Sequence, residues 1–293
     1  MIVALATIEP ARGQELEPRA YSPSPVGTTF VAVSATRSRG GVFTDPSVPI
    51  TDVDATVGVL ALGVGHTFGI AGKQALLFGA LPVTWGEASG EVGEQERRSA
   101  SRRGLADPRI RLSMILMGSP AMSPADFARA PRRTIVGASL TVVPPVGQYE
   151  SAKLVNLGSH RWAVKPEVGV SYPAGRWTFD GYGGVWFFTD NDAYYPGTST
   201  RGQDAIVTIQ GHVSYTLGRR AWLAVNGTWY SGGRTSIDGV AKADLQRNTR
   251  LGATWSQPLT RRQSFKLAYS AGATTRVGAD FRTLTAAWQI VMF

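Results

Sequence analysis

Apolar and polar residues alternate along residues 206–217, which read IVTIQGHVSYTL. From Val207 onward every odd-numbered position is apolar or glycine, and every even-numbered position is polar. This two-residue period is typical of a β-strand with one apolar face and one polar face. We therefore expect the odd-numbered and the even-numbered residues of such a strand to face two different environments.

The same alternation recurs along most of the chain and predicts about twelve strands. No long amphipathic helix is predicted, and only Pro124–Arg129 suggests a single helical turn. The predicted strands are 27–39, 54–69, 74–86, 107–118, 133–144, 160–173, 176–188, 204–217, 220–231, 245–257, 263–275 and 281–293.

Tight and long connections alternate between these strands. Tight turns are predicted at 70–73, 173–176, 218–220 and 258–262, and longer polar loops at 40–53, 87–106, 145–159, 189–203 and 232–244. Two connections depart from this rule, because 119–132 is long where a tight turn is expected and the hairpin at 277–279 is short. The alternation is typical of a transmembrane barrel with short periplasmic turns. We therefore predict an all-β fold, a membrane-spanning up-and-down antiparallel β-barrel of about 12 strands.

Composition favours the same class. Charged residues make up 17% of the 293 residues, below the roughly 25% usual for soluble domains. The chain lacks a run of about 18 apolar residues, which excludes a spanning helix. It has no cysteine, which excludes disulfides and thiolate metal sites. A soluble β-sandwich is the alternative that these features disfavour.

The net charge of +9 raises the question of nucleic-acid binding. The basic residues are scattered, apart from a cluster at Arg97, Arg98, Arg102 and Arg103. We therefore expect no nucleic-acid partner. Surface arginines suit a membrane with anionic lipid, so outer-membrane lipid and lipopolysaccharide are the expected partners.

Charged residues in the middle of a strand indicate which of its faces lines the lumen, because a charge facing lipid costs about 2–4 kcal/mol at mid-membrane. The apolar parity of each strand therefore places the opposite set in the lumen. The predicted lumen-lining residues are Arg109, Arg111, Lys165, Glu167, Asp180, Tyr182, Gln210, His212, Arg250 and Lys266. We expect the cations among them to pair with Glu167 and Asp180 in a polar network.

Large aromatic residues lie towards the strand ends. They are Trp85, Trp162, Trp177, Trp186, Trp222, Trp229, Tyr230 and Trp288. Aromatic belts at the two membrane interfaces predict such a distribution.

The sequence offers little catalytic chemistry. It has three histidines, His66, His160 and His212, without the spacing of a zinc site or a nearby nucleophile motif. The run Asp190-Asn191-Asp192 lacks the later ligands of a calcium loop. We therefore predict that the protein is not an enzyme and has no catalytic residues, no metal and no cofactor.

The chain begins with an apolar stretch, Met1–Ala6, followed by a small-x-small pattern at residues 11–13. This resembles the end of an export signal without its basic leader. We therefore divide the chain into a residual signal-peptide-like segment, 1–13, and a single outer-membrane β-barrel, 14–293.

Several longer motifs resemble one known family, the putative MetA-pathway of phenol degradation family. The motifs are LEPRAYS at 16–22, LADPR at 105–109, LVNLGSHRW at 154–162, FFTDND at 187–192, GHVSY at 211–215, YSGGRT at 230–235 and DLQRNTR at 244–250. The resemblance covers nearly everything after residue 13. It implies a bacterial outer-membrane location and a role in the passage of small, aromatic compounds, and it supplies no catalytic residues. It also implies an outward Phe293 ending the last strand, which the barrel-assembly machinery would recognise.

The leading functional hypothesis is a narrow outer-membrane channel for small aromatic or anionic solutes, because the predicted lumen is rich in cations. Two alternatives remain. One is an outer-membrane lipid-modifying enzyme that uses one of the three histidines. The other is a non-conducting structural or surface-binding barrel with a plugged lumen.

Overall fold

The computed structural model describes residues 16–43, 50–92, 96–153 and 155–292. The predicted signal-like segment, 1–13, and Phe293 lie outside the described residues. Within the described residues no helix is long and apolar enough to cross a membrane.

The described chain folds into strands and two short helices. They are β1 (Thr29–Phe43), β2 (Ile50–Ile70), β3 (Lys73–Val92), β4 (Glu96–Leu105), β5 (Arg109–Met117), α1 (Pro124–Arg129), β6 (Ile135–Val143), β7 (Ala163–Ala174), β8 (Trp177–Phe188), β9 (Asn191–Tyr194), β10 (Ser199–Gln203), β11 (Ile206–Thr216), a 3₁₀ turn (Gly218–Arg220), β12 (Trp222–Gly232), β13 (Thr235–Ile237), β14 (Val240–Ala241), β15 (Gln246–Pro258), β16 (Gln263–Thr274) and β17 (Gly278–Met292).

The main sheet closes on itself as a twelve-stranded antiparallel barrel. Its order is β2-β1-β17-β16-β15-β12-β11-β8-β7-β6-β5-β3, and β2 also pairs with β3. Strand β4 pairs with the C-terminal part of β3, and β5 pairs with its N-terminal part. Strands β4 and β5 together therefore occupy one position in the wall. The predicted fold class is confirmed.

The region predicted as a long loop at 87–106 is largely a hairpin of β3 and β4, so that prediction is wrong. Its polar sequence hides the strand because this hairpin extends past the apolar part of the wall. Ion pairs replace apolar contacts there, since Arg97 lies 2.9 Å from Asp52 and 3.6 Å from Asp54. The predicted loops at 189–203 and 232–244 likewise contain the strands of a small sheet, β14-β13-β10-β9.

The barrel has a short-turn end and a long-loop end. The short-turn end carries the β2–β3, β7–β8, β11–β12 and β15–β16 turns together with the 118–134 connection. That last connection is long because it contains α1. Ser123 caps α1 by accepting the Asp126 N–H at 3.2 Å, and Pro124 begins the helix. The short-turn end of such barrels faces the periplasm.

The wall is apolar outside and polar inside, as the alternation in β11 predicts. Val207, Ile209 and Val213 are 40–54% exposed, whereas Gln210 and His212 are 3% and 2% exposed. Water-soluble folds bury the apolar set instead. The inverted distribution is that of a barrel surrounded by lipid.

Three of the residues assigned to the aromatic belts face inward, which corrects that prediction. Trp186 and Tyr230 are buried, and the Arg19 guanidinium carbon lies 4.7 Å from the Trp222 ring centre inside the barrel. These three residues share the parity of the inner face, so position near a strand end alone is insufficient. Trp85, Trp162, Trp177, Trp229 and Trp288 are exposed on the outer face.

Along the described part of the last strand the large even-numbered residues face outward. Leu284, Trp288 and Met292 are exposed, whereas Thr283 points inward and bonds Ser38 at 2.9 Å. Both faces of this strand are largely apolar, so alternation carries little signal there.

Candidate functional site in the barrel lumen

The lumen contains part of the chain itself. Residues 16–26, here called the lumen segment, run through the barrel interior rather than forming part of its wall. The Glu17 N–H faces Gln210 of β11 at 3.4 Å, and the Ser24 N–H donates to Gln74 of β3 at 2.9 Å. The segment therefore touches opposite sides of the barrel and narrows the passage.

Glu17 completes an ion-pair network on the wall. Arg111 of β5 lies 2.5 Å from Glu17 and 2.9 Å from Glu167 of β7. Lys165 lies 2.6 Å from Glu167, and the side chains of this pair are only 3% and 4% exposed. Buried charges need such pairing because desolvation is costly. Arg109 lies 3.8 Å from Glu17 at the edge of the network.

Tyr21 is the deepest side chain of the lumen segment. Its hydroxyl lies 3.0 Å from Ser139 Oγ and donates to Glu167 Oε1 at 3.1 Å. Its ring fills a slot above two glycines, since an added Cβ would lie 2.3 Å from the ring at Gly137 and 2.4 Å at Gly169. Only glycine at these wall positions leaves room for the ring.

Arg19 ties the segment to the opposite side of the slot. Its side chain donates to Ser214 and Thr216 of β11, each at 2.9 Å. Its backbone N–H donates to Asp180 Oδ2 at 3.3 Å. Asp180 therefore interacts with the lumen segment, and the predicted pairing of Asp180 with the wall cations is wrong.

The predicted lumen residues fall into separate groups. Arg111, Lys165, Glu167 and Gln210 meet in the network, and Gln210 Nε2 lies 3.4 Å from Glu167. The Tyr182 hydroxyl accepts the Ala20 N–H at 3.1 Å.

Arg250 and Lys266 lie apart from that network. Arg250 donates to the Phe281 carbonyl at 2.7 Å and to Ser270 at 3.1 Å. Lys266 is exposed to the interior, with its ammonium 5.9 Å from the Trp222 ring centre. The expected pairing of these two cations with Glu167 and Asp180 is wrong, because they lie on β15 and β16 away from those acids.

His212 is part of a hydrogen-bonded chain across three strands. Its Nδ1 lies 2.9 Å from Asn226 Oδ1, and Asn226 donates to Thr254 Oγ1 at 2.9 Å. An amide here holds the imidazole, where a catalytic base would need a carboxylate and a nucleophile. Among the described residues, no group of three or more His, Cys, Asp or Glu side chains could hold a metal ion.

At the long-loop end an inner loop, residues 144–161 apart from 154, folds into the barrel mouth. Asp107 holds it, because its Oδ1 accepts the Gly147 N–H at 2.8 Å and its Oδ2 accepts the Ser159 N–H and hydroxyl at 2.8 and 2.7 Å. We call these contacts the latch. Val155 then packs against the inner wall beside Ala55, Ala88 and Phe281.

A cavity of about 660 Å³ opens at the short-turn end. Its lining combines four arginines, Arg19, Arg132, Arg133 and Arg220, with the apolar side chains of Met122, Phe127 and Ile135. No carboxylate lines it among the described residues. Arg132 is held in place by hydrogen bonds to the Gly175 carbonyl and Thr178. The cavity is therefore cationic and partly apolar.

A family model described as "Putative MetA-pathway of phenol degradation" matches residues 36–289. The chain belongs to this family. Two of the family motifs meet in the structure, because the latch joins LADPR to LVNLGSHRW. The LEPRAYS motif forms most of the lumen segment. No curated protein sequence matches the chain.

Two solved structures of bacterial proteins have a similar fold. The COG4313 outer membrane channel from Pseudomonas putida F1 shares 21% identity at a TM-score of 0.78, over 95% of this chain and all of that one. The β domain of the Bordetella autotransporter Brka shares 10% identity at a TM-score of 0.51, over 91% of this chain and all of that one. This family member is thus a β-barrel of the bacterial outer membrane.

The site residues that the sequence does not predict are those of the lumen segment and of the cavity. Glu17, Arg19 and Tyr21 lie outside the strands, so hydrophobic alternation carries no information about them. Their polar i, i+2, i+4 spacing is the one available signal. The unexpected length of 119–132 is the corresponding signal for Arg132.

We predict that Glu167→Gln destabilises the folded barrel by about 3–5 kcal/mol, because the carboxylate neutralises buried Lys165 and also pairs with Arg111. Urea unfolding in lipid vesicles measures this change. Glu150→Gln is the matched control, since its pair with Lys153 is exposed and is worth about 0–1 kcal/mol. Equal losses in the two variants would contradict the role of Glu167.

Proposed function

We propose that this family member admits small organic anions with an aromatic or apolar body across the outer membrane. The observation that carries the proposal is the cavity at the short-turn end. Its volume lies within the roughly 300–1,000 Å³ of small-molecule sites. Four guanidinium groups favour a carboxylate or phenolate, and Phe127, Met122 and Ile135 favour an apolar body.

The cavity also lies on the route that a solute would take. Arg19, Ser22 and Pro23 of the lumen segment form part of its lining. A solute that crosses the barrel must pass this segment on one side and the inner loop on the other. Passage therefore requires the lumen segment to shift, which is consistent with a narrow and selective channel rather than an open pore.

Bilayer recordings and liposome uptake test this proposal. We expect anion-selective conductance, and uptake of benzoate to exceed that of benzyl alcohol and of acetate. Arg132→Gln/Arg220→Gln should lower benzoate uptake by about tenfold, because charged clefts concentrate counter-ions by that order or more. Arg261→Gln/Arg262→Gln removes two charges at the same end outside the cavity lining and should leave uptake unchanged. Cation-selective conductance, or equal uptake by both double variants, would contradict the proposal.

The occupied lumen favours one competing function, a non-conducting barrel that serves a structural or binding role. That function predicts closed recordings even after the lumen segment is released from the wall. Recordings from Gly137→Val and Tyr21→Ala, which release the segment, make this comparison directly.

A further inference from the structure

Three arginines project from the outer wall near the long-loop end. Arg37 and Arg39 of β1 and Arg282 of β17 are exposed. Their parity is that of Val33 and Leu284, which face outward, whereas the intervening Ser38 bonds Thr283 inside. Cations on a lipid-facing surface need a reason, because each is costly except near an interface.

The strand register brings these arginines together. Arg39 is directly opposite Arg282, and Arg37 precedes Arg39 by two residues on the same face. Opposite residues in an antiparallel pair have Cβ atoms about 4.5–5.5 Å apart, and like charges there are destabilising. The cluster therefore gains stability from an anion that bridges it.

The described residues do not pair such an anion with the cluster. Among the described residues, none of the three guanidinium groups forms a hydrogen bond or an ion pair with another side chain. Two outward acids lie next to the cluster, because Asp54 and Asp280 both lie opposite Gly41, two residues beyond Arg39. Each has another partner, and Asp54 faces Arg97 at 3.6 Å. Glu87 lies opposite Thr56, two strands from Arg39, or about 9–10 Å across the sheet. Asp280 of β17 bonds Thr275 at 3.2 Å.

The depth of the cluster matches the outer edge of the apolar band. Along β2 the outward positions from Ile70 to Leu60 are largely apolar. That stretch rises by about 25 Å at the usual strand tilt, which is the height of the band in such barrels. The next outward position is Gly58, opposite Arg37, and the exposed Trp85 ring lies across it. Tryptophan marks the interface, so Arg37 lies at this boundary and Arg39 and Arg282 just above it.

We propose that Arg37, Arg39 and Arg282 bind a phosphate group of lipopolysaccharide in the outer leaflet, beside Trp85. Arginine rather than lysine at all three positions suits this ligand, since guanidinium groups bind phosphate oxygens in bidentate fashion. The acyl chains of the same lipid would lie along Leu60 and Leu62, directly below. The site lies on the outside of the wall and is independent of any solute pathway.

Binding of fluorescent bisphosphorylated lipid A to the full chain in detergent micelles tests the proposal. We expect the wild type to bind it at least about tenfold more tightly than dephosphorylated lipid A, and Arg37→Gln/Arg39→Gln/Arg282→Gln to lose about that factor. The charge-matched control, Arg129→Gln/Arg261→Gln/Arg262→Gln, removes three charges at the short-turn end and should bind as the wild type does. A shift in gel mobility on heating verifies that each variant is folded.

Replacement of the same three residues by lysine provides a second variant if the glutamine variant fails to fold. It keeps the charge but loses the bidentate geometry, so we expect weaker binding than the wild type. Wild-type affinity in the glutamine or lysine variant would overturn the proposal. So would equal binding of dephosphorylated lipid A, or full competition by inorganic phosphate, which would indicate a small-anion site.

Discussion

Gly137→Val will raise single-channel conductance severalfold, because the new side chain takes the space of the Tyr21 ring. A Cβ at this position would lie 2.3 Å from the ring, and Gly137 cannot retreat because it pairs with both β5 and β7 in the wall. Expulsion of the ring breaks its contacts with Ser139 and Glu167 and frees the middle of the lumen segment. Planar bilayer recordings on the purified barrel measure the change.

A matched substitution on the other face separates this effect from general damage to the barrel. Gly211→Val adds the same side chain on the outer face, where nothing lies within 4 Å of the added Cβ. We expect wild-type conductance from it. Tyr21→Ala removes the ring itself and should open the channel as Gly137→Val does. Closed recordings from both Gly137→Val and Tyr21→Ala would favour the non-conducting barrel and contradict a gated channel.

The wall of this protein could be predicted from the sequence because lipid imposes one rule on every strand. Parity placed Lys165, Glu167 and Asp180 on the inner face, where each is buried. Alternation of apolar and polar residues does not predict the strand where lipid is absent or where both faces are apolar. Hairpin β3–β4 rises beyond the apolar band, so its polar residues concealed strands, and in β17 the apolar residues on both faces left the parity undetermined.

The interior could not be predicted in the same way, because its contacts are specific rather than periodic. Nothing in the alternation indicates that Tyr21 reaches Glu167 across 146 residues, or that Asp180 meets Arg19 rather than a wall cation. These contacts depend on where the lumen segment enters the barrel. Resemblance identified LEPRAYS and LADPR as family features, but only the structure assigns the first to the lumen and the second to the latch.

Asp107→Ala will release the inner loop from the barrel mouth. The carboxylate accepts three hydrogen bonds from Gly147 and Ser159, and hydrogen bonds to charged groups contribute about 1.5–3 kcal/mol each. A net loss of about 3 kcal/mol raises the open population of the loop about 100-fold. Trypsin cleavage after Lys153, on this loop, should accelerate by that factor in intact vesicles.

The latch explanation requires that the remaining contacts of the loop, such as Gln148 N–H to the Leu105 carbonyl at 2.9 Å and Arg102 to the Val155 carbonyl at 3.0 Å, do not hold it closed without Asp107. Asp238→Ala is the control, because Asp238 accepts the Thr200 N–H at 2.8 Å in the small outer sheet and does not touch the inner loop. Asp107→Asn keeps one acceptor oxygen and should cleave at an intermediate rate. The released loop withdraws Val155 from its contacts with Ala88 and Phe281, so conductance should rise as well. Faster cleavage with unchanged conductance would show that the inner loop covers the mouth without obstructing it, and would leave the lumen segment as the principal barrier.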